Sequence, residues 1–391
     1  MSTSSPAHAA PVPRHPWWAI SAVGLATFSV VTTEMLPVGL LTPIADSLGA
    51  SVGTAGLMIS LPALLAALFA PLVVIAAGGI DRRRILCALL GLLLVANVAS
   101  ALAPGIAGLL AARVLVGFCM GGIWAIAGGL AARLVPSARI GLATSIIFGG
   151  VAAASVLGVP LGALIGEALG WRWAFVVMAA FSAAVLLLHL WMVPALPVDG
   201  SVRARQFVQQ LGNRGLQQGL LLTLLLVAGH FIAFTYVRPL LTTLANIDAT
   251  WIGGLLFAYG MAGIVGNFIV GLLAARRPRG LLLAIALGLL LTPLLFLWTG
   301  STPASGVVVL LLWGLAYGGV SVGLMTWMMT AAPKAVEIAT ALYVGVFNIG
   351  IALGAWGGGL LLDGLGLHAN LWAATGFAAA ATLVVAGMRR Q

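Results

Sequence analysis

The chain has 391 residues, of which 62% are hydrophobic and only 7% are charged. Soluble globular proteins carry roughly 25% charged residues, so this composition cannot build a water-exposed surface. It excludes soluble enzymes, nucleic-acid-binding proteins and secreted disulfide scaffolds, and it predicts an integral membrane protein. The net charge of +10 fits this class, because arginine accumulates in the cytoplasmic loops of membrane proteins.

Apolar runs separated by charged, Pro-rich and Gly-rich clusters predict the secondary structure. The runs are too long for membrane β-strands and lack their period-two alternation, so an all-α integral membrane fold is expected. The predicted spans, numbered 1 to 12, cover residues 17–41, 52–79, 85–103, 106–132, 141–168, 173–193, 217–244, 251–275, 281–299, 305–331, 338–363 and 368–388.

The spans divide into two groups of six. Residues 1–16, rich in Ser, Pro and Ala, are expected to form a disordered cytoplasmic tail. Residues 17–193 then form an N-terminal six-helix bundle, and residues 217–391 form a C-terminal six-helix bundle. The long polar stretch at 194–216 is the natural cytoplasmic linker between them.

The two halves also repeat each other in sequence. Three dipeptides of the first half recur 196 residues later: Ala143-Thr144, Leu157-Gly158 and Leu169-Gly170 become Ala339-Thr340, Leu353-Gly354 and Leu365-Gly366. An even number of spans in each half gives the two copies the same orientation. This arrangement is typical of transporters whose substrate site lies between the halves.

The loop charges predict the orientation. Arginines cluster in alternate loops, whereas the other loops carry a single arginine, Arg172, beside the acids Asp46, Glu167, Asp248 and Asp363. By the positive-inside rule both termini are cytoplasmic. The 17 arginines beside one lysine, Lys334, favour a bacterial protein, and therefore the bacterial inner membrane.

Several motifs resemble those of the major facilitator superfamily of transporters. The signature loop resembles Asp81-Arg82-Arg83-Arg84 of this chain, and the arginine motif of span 4 resembles Ala111-Ala112-Arg113-Val114-Leu115-Val116-Gly117. The antiporter motif of span 5 resembles Gly158-Val159-Pro160-Leu161-Gly162.

Two further segments, 33–41 and 229–240, are similar to the sugar-efflux branch, which groups arabinose- and sugar-efflux permeases with drug:proton antiporters. The resemblance implies two pseudo-symmetric six-helix bundles and a functional monomer. It also implies the export of a small molecule in exchange for protons.

Glu34 is the one acid that we place well inside a span. A charge in the hydrocarbon is costly and marks a functional candidate, and a carboxyl that loses and regains a proton can couple proton entry to substrate exit. Arg113 lies at a similar predicted depth, about 10 Å below the outer surface, and could form an ion pair with it. A permanently paired structural carboxylate and an arginine that snorkels to the interface are the alternatives.

Candidate substrate-binding residues lie mainly in span 7. His230 lies near its middle, with Tyr236 and Arg238 further out, and these side chains could bind a substrate hydroxyl. Asn267 and Asn348 are placed at mid-depth as further candidates. Packing and hydrogen bonds between helices are the simpler account for His230 and both asparagines.

Two other groups of residues could control the conformation. Asp81, with Arg82 and Arg84, could form a cytoplasmic gate, although topology alone explains the arginines. Gly158, Pro160 and Gly162 give span 5 a face of small residues that either packs closely on a neighbouring helix or bends during transport.

We therefore expect a secondary transporter that exports a sugar or an amphiphilic drug-like compound in exchange for protons. An uncoupled sugar or nucleoside facilitator is the first alternative. An intramembrane enzyme is a remote one, because the G-x-S-x-G match at Ser321 lies inside an apolar span and not on a strand-to-helix turn. No motif for a metal, a cofactor or ATP hydrolysis occurs, and the expected partners are the substrate, protons and the lipid bilayer.

Overall fold

The computed structural model describes residues 16–76, 80–136, 140–197, 209–273, 278–299, 302–333 and 336–388. These ranges contain twelve helices that are long and apolar enough to cross a membrane, and no strands. The all-α, twelve-span expectation is confirmed. Residues 1–15 of the predicted tail and 198–208 of the predicted linker lie outside the described residues.

The first half contains six continuous helices. They are α1 (Pro16–Leu48), α2 (Val52–Ala76), α3 (Arg82–Ala101), α4 (Ile106–Leu134), α5 (Ile140–Leu169) and α6 (Trp171–Met192). The sequence predicted that α1 would end near residue 41. The helix instead continues for two more turns, through Pro43 to Leu48, because proline is tolerated in a membrane helix when another group satisfies the freed carbonyl.

The second half contains the other six, two of which are interrupted. They are α7 (Arg214–Phe234), α8 (Ile252–Leu273), α9 (Pro278–Thr299), α10a (Pro303–Gly318) with α10b (Val320–Ala331), α11 (Val336–Leu365) and α12 (Leu367–Gly387). After α7 the chain turns at 235–236 and continues as a short helical turn, Val237–Pro239, and a wide π-type turn, Leu240–Leu244. Pro239, which cannot donate a backbone hydrogen bond, accompanies this break.

The sequence repeat is visible in the backbone. Four described residues have positive φ, and they form two pairs related by the repeat. Gly49 (φ 61°) and Asn246 (φ 52°) follow the ends of the first and seventh spans. Gly170 (φ 92°) and Gly366 (φ 83°) separate α5 from α6 and α11 from α12. Equivalent helix ends in the two halves therefore share a residue with positive φ.

Helices of each half pack mainly on one another, and two helix pairs make most of the contacts between the halves. Within the halves, α1 packs on α5, α2 on α4, and α7 on α11 and α12. Between the halves, α2 contacts α11 and α5 contacts α8. We call the end of the protein that carries Asp46, Glu167, Asp248 and Asp363 the acidic end, and the opposite end the basic end.

Close packing of α1 on α5 depends on glycine. A Cβ atom at Gly150 would overlap the carbonyl oxygen of Gly24, and one at Gly24 would lie 2.9 Å from the carbonyl oxygen of Ile146. Because the two helices are so close, Thr27 Oγ1 donates a hydrogen bond of 2.7 Å across the interface to the carbonyl of Ile147. Small residues thus allow the two backbones to approach.

We expect Gly150→Val to destabilise the protein by about 1–3 kcal/mol, the usual cost of overpacking a close interface. Gly149→Val is the matched control, because a Cβ at the neighbouring Gly149 meets no atom within 4 Å. Thermal unfolding in detergent measures the difference. Equal melting temperatures for the two variants would contradict the packing described here.

Candidate functional site

Prolines inside α1 and α2 leave two carbonyl groups without their usual donor. In an α-helix the N–H of residue i bonds the carbonyl of residue i−4, and proline has no N–H. Pro37 and Pro62 therefore free the carbonyl groups of Thr33 and Met58. Because the interior of a membrane protein offers little water, these carbonyls need other donors.

Arg113 of α4 donates to both freed carbonyls. Its Nη2 lies 2.9 Å from the carbonyl oxygen of Thr33, and its Nε lies 3.2 Å from that of Met58. Nη2 also donates to the carbonyl of Glu34 at 3.1 Å. The guanidinium is fully buried. One arginine thus joins α4 to α1 and α2.

The carboxyl group of Glu34 remains free beside this arginine. The Glu34 side chain is 2% exposed, and its Oε1 has no hydrogen-bond partner among the described residues. The two side chains interact electrostatically, but no salt bridge joins them in the described part of the chain. Arg113 bonds the backbone through Nε and Nη2, its Nη1 has no partner among the described residues, and the expected direct ion pair with Glu34 is not formed in this part of the chain.

A buried hydrogen-bond network extends from this point into the first half. Asn97 of α3 donates to Thr33 Oγ1 at 3.2 Å and to Ser182 Oγ at 3.3 Å. Ser182 in turn contacts Ser29 of α1 at 3.0 Å. The network links α1, α3 and α6 behind Glu34, and it fixes the part of α1 that carries the acid.

The second half contains a stack of four rings. Tyr317 stacks on His230 with the ring centres 3.5 Å apart, and His230 stacks on Phe234 at 4.7 Å. Phe234 stacks on Tyr259 at 4.7 Å. Trp313 packs edge-on against His230 at 5.4 Å. We call these five residues the aromatic stack.

Glu34 and the aromatic stack lie close enough for Tyr317 to interact electrostatically with the acid, and Tyr317 also interacts with Tyr343 of α11. Both helix interruptions of the second half follow members of the stack directly, since α7 ends at Phe234 and α10a ends one residue after Tyr317. The site therefore combines a charged face from the first half with an aromatic face from the second.

His230 occupies the middle of the stack without a hydrogen bond. It is 3% exposed, and neither ring nitrogen has a partner among the described residues. A small cavity lies beside it, lined by residues that include Gly229, Leu289, Pro293 and Ala374. Neighbouring helices thus pack around the imidazole but do not satisfy its nitrogens, and such unsatisfied groups are found at functional sites.

The two predicted asparagines differ in their surroundings. Asn348 of α11 is 4% exposed. It donates to the carbonyl of Val344, and its Oδ1 has no partner among the described residues, so it can accept a bond from a ligand. Asn267 of α8 is half-buried.

Tyr236 and Arg238 lie near the acidic end, and both are already engaged. The hydroxyl of Tyr236 donates to the carbonyl of Ala355 at 2.6 Å. Arg238 donates to the carbonyl of Gly39 at 3.1 Å and to the Glu167 carboxylate at 3.3 Å. In this conformation neither side chain is available to bind a substrate with His230, because contacts between helices use their polar groups.

Asp81 caps a helix of its own half. Its carboxylate accepts from the backbone N–H groups of Arg83 and Arg84 at the start of α3, and from that of Leu196 beyond α6. Arg82 donates its own N–H to the carbonyl of Leu196. In this conformation the predicted gate residues thus stabilise the basic end of the first half, and Arg84 is exposed.

The antiporter-motif residues face α1. A Cβ at Gly158 would lie 3.2 Å from Thr32 Cα, and one at Gly162 would lie 2.7 Å from Leu36 Cδ1. Pro160 is buried between them within α5. The motif therefore allows α5 to approach the segment of α1 that carries Glu34.

Sequence reasoning missed most of the aromatic stack. One signal was available: the chain has only four tyrosines, and all of them lie in the second half. No spacing connects Tyr259 on α8 with Tyr317 on α10a, because packing of separate helices brings them together. Among the described residues, no group of three His, Cys, Asp or Glu side chains could hold a metal ion.

The family model of the Major Facilitator Superfamily matches residues 23–342. The chain belongs to this superfamily. Its members are transporters, which assigns the chain to transport rather than to enzymatic catalysis.

Relatives of similar length include proteins that are named as transporters. A protein of Pseudomonas aeruginosa named transcription regulatory protein OpdE is 34% identical, with 95% of this chain and 92% of the relative covered. The purine ribonucleoside efflux pump NepI of Salmonella typhimurium is 32% identical, with 97% and 96% covered. The MFS-type transporter YtbD of Bacillus subtilis is 34% identical, with 90% and 91% covered.

Solved structures share the fold at low sequence identity. A bacterial homolog of the human lysosomal transporter Spinster has a TM-score of 0.74 at 16% identity, with 94% of this chain and 96% of that chain covered. A variant of the nucleoside transporter NupG has a TM-score of 0.74 at 13% identity, with 94% and 98% covered.

We expect Arg113→Leu to destabilise the protein strongly, since it leaves the carbonyls of Thr33 and Met58 without donors at about 1–3 kcal/mol each. Pro37→Ala restores an N–H donor to Thr33. The double variant Pro37→Ala/Arg113→Leu should therefore lose less stability than the single effects predict, with a coupling of about 0.5–3 kcal/mol.

Thermal unfolding of the purified variants measures this coupling. Pro160→Ala/Arg113→Leu is the control, because Pro160 lies in α5 and the carbonyls that Arg113 bonds belong to α1 and α2. Additive effects in both double variants would show that the freed carbonyl of Thr33 does not determine the contribution of Arg113.

Proposed function

We propose that the protein exports a small molecule from the cytoplasm in exchange for protons. Glu34 would carry the proton, and the substrate would bind between Glu34 and the aromatic stack. The single observation that carries this proposal is the free carboxyl of Glu34, which is buried beside a guanidinium that bonds the backbone instead.

The position of Glu34 supports a cycle in which proton and substrate compete. An unpaired carboxylate in a dry interior is costly, and the cost is removed by a proton or by hydrogen bonds from a substrate. A substrate that binds from the cytoplasm would displace the proton, and a proton from outside would displace the substrate. Arg113 would keep the carboxyl in place during both steps through its bonds to the backbone of α1.

The aromatic stack supports a substrate with a planar ring. Stacking of a nucleobase on an aromatic side chain contributes about 1–3 kcal/mol. Asn348 Oδ1 and the His230 nitrogens could bond the edge of such a ring. Together with the relatives named purine ribonucleoside efflux pumps, this makes purine ribonucleosides the first candidates. Sugars and amphiphilic drugs are the further candidates.

We propose the bacterial inner membrane as the location, with both termini in the cytoplasm and the acidic end outside. The charge distribution supports this orientation, because the basic end carries Arg82, Arg83, Arg84 and Arg133. Residues 17–193 and 217–391 would move as two bundles about the site, and a monomer would suffice.

Proton release from energised inside-out vesicles tests the proposal. Inosine, guanosine, arabinose, chloramphenicol and a cationic dye would be added in turn to vesicles that contain the wild type, Glu34→Gln or Asp46→Asn. We expect one class of compound to release protons from the wild type, and Glu34→Gln to reduce the release about tenfold or more, a loss of ~1.4 kcal/mol of coupling.

Asp46→Asn is the matched control, because it removes an exposed acid at the acidic end and should leave the release unchanged. Equal release from the wild type and Glu34→Gln would remove Glu34 from the coupling mechanism. Uptake of a radiolabelled compound without proton release would favour the uncoupled facilitator.

A further inference from the structure

Several contacts join the two halves at the acidic end of the protein, and the first involves Asp363. This residue lies near the end of α11, and its Oδ1 accepts a hydrogen bond at 3.0 Å from the backbone N–H of Gly53 in the first turn of α2. Its Oδ2 accepts from the hydroxyl of Ser51. An acid of the second half thus caps the N-terminus of a helix of the first half, where negative charge is favoured.

Tyr236 fills the space behind this cap. Its ring follows the end of α7, and its hydroxyl donates to the carbonyl of Ala355 in α11. A Cβ at Gly56 of α2 would overlap the hydroxyl of Tyr236, and a Cβ at Gly359 of α11 would lie 2.6 Å from the same atom. Glycine at both positions therefore lets α2, α7 and α11 meet around one buried tyrosine.

Arg238, in the short helical turn after α7, also joins the halves. It is 7% exposed and bonds the carbonyl of Gly39 in α1 and the carboxylate of Glu167 at the end of α5. Pro43, four residues after Gly39, has no N–H to give to that carbonyl. Arg238, which belongs to the second half, thus provides the hydrogen-bond donor that the Gly39 carbonyl of α1 lacks.

The two acids of these contacts are related by the sequence repeat. Glu167 and Asp363 lie 196 residues apart, each three residues before a glycine with positive φ. Glu167 of the first half bonds the second half, and Asp363 of the second half bonds the first half. Asp248, another acid at this end, instead accepts from Thr250 at the start of its own half's next helix.

We propose that Asp363, Tyr236, Arg238 and Glu167 form a latch that holds the acidic end shut, and that it must open for a substrate to pass that end. The latch accounts for the polar groups of Tyr236 and Arg238, which the central site does not use. It bonds the halves together directly, so that its loss should favour conformations that are open at the acidic end.

Access of a thiol reagent to a cysteine behind the latch tests the proposal without any substrate. Ser60 of α2 is 5% exposed and lies one turn below Gly56, so Ser60→Cys is a suitable reporter. It would be placed in a background that lacks the two native cysteines, through Cys87→Ser and Cys119→Ala. A membrane-impermeant maleimide would be added to right-side-out and inside-out vesicles.

Two variants open the latch, and each has a matched control. Asp363→Ala removes the cap, whereas Asp248→Ala removes an acid that bonds its own helix. Gly53→Ala adds a Cβ that would lie 2.5 Å from the carbonyl oxygen of Gly359, whereas Gly254→Ala, in the first turn of α8, meets nothing within 4 Å. Melting temperatures identify any variant that fails to fold.

We expect Asp363→Ala and Gly53→Ala to label from the acidic end at least about tenfold faster than the parent, since a charge-assisted hydrogen bond is worth enough to shift a conformational population by that factor. The two controls should label at the parent rate. Parent-rate labelling of folded Asp363→Ala and Gly53→Ala would overturn the latch. The type of vesicle in which labelling becomes faster also shows which end of the protein is outside. Neither the labelling rate nor this orientation depends on proton coupling.

Discussion

Backbone carbonyl groups that proline leaves unpaired are the constraint on which the structure of the first half depends. Within a membrane such a group must find a donor or destabilise the helix that carries it. Arg113 bonds the carbonyls of Thr33 and Met58, which are freed by Pro37 and Pro62. Arg238 bonds the carbonyl of Gly39, which is freed by Pro43. The positions of the prolines in α1 and α2 thus explain what the most deeply buried arginines bond.

This arrangement determines the chemistry of the site. If Arg113 bonded the Glu34 carboxylate, the acid would be a neutralised structural group. Because Arg113 bonds carbonyl oxygens through Nε and Nη2 and makes no bond to the carboxylate, positive charge lies close to the acid without consuming its hydrogen-bonding capacity. The aromatic stack on the opposite half provides apolar area and no formal charge. A ligand bound between them contacts both halves at once, which is what a transporter with two moving bundles requires.

The sequence predicted the spans well, because each is a long apolar run bounded by charge, proline or glycine. The end of α1 was wrong by two turns, since the donor for the freed carbonyl of Gly39 comes from Arg238, about 200 residues away. The predicted depths in the membrane could place Arg113 near Glu34. They could not show which atoms of Glu34 the arginine bonds. Tyr236 and Arg238 share the predicted span 7 with His230, so spacing alone could not separate the acidic-end contacts from the central site.

Calorimetry of purified protein tests the central claim most directly. Binding of a compound that the vesicle assay identifies is titrated in buffers that differ in ionisation enthalpy, which gives the number of protons released. The account predicts on the order of one proton per molecule bound by the wild type, and none from Glu34→Gln that still binds the compound. Binding to the wild type without proton release, or equal release from Glu34→Gln, would contradict the assignment of Glu34 as the proton carrier.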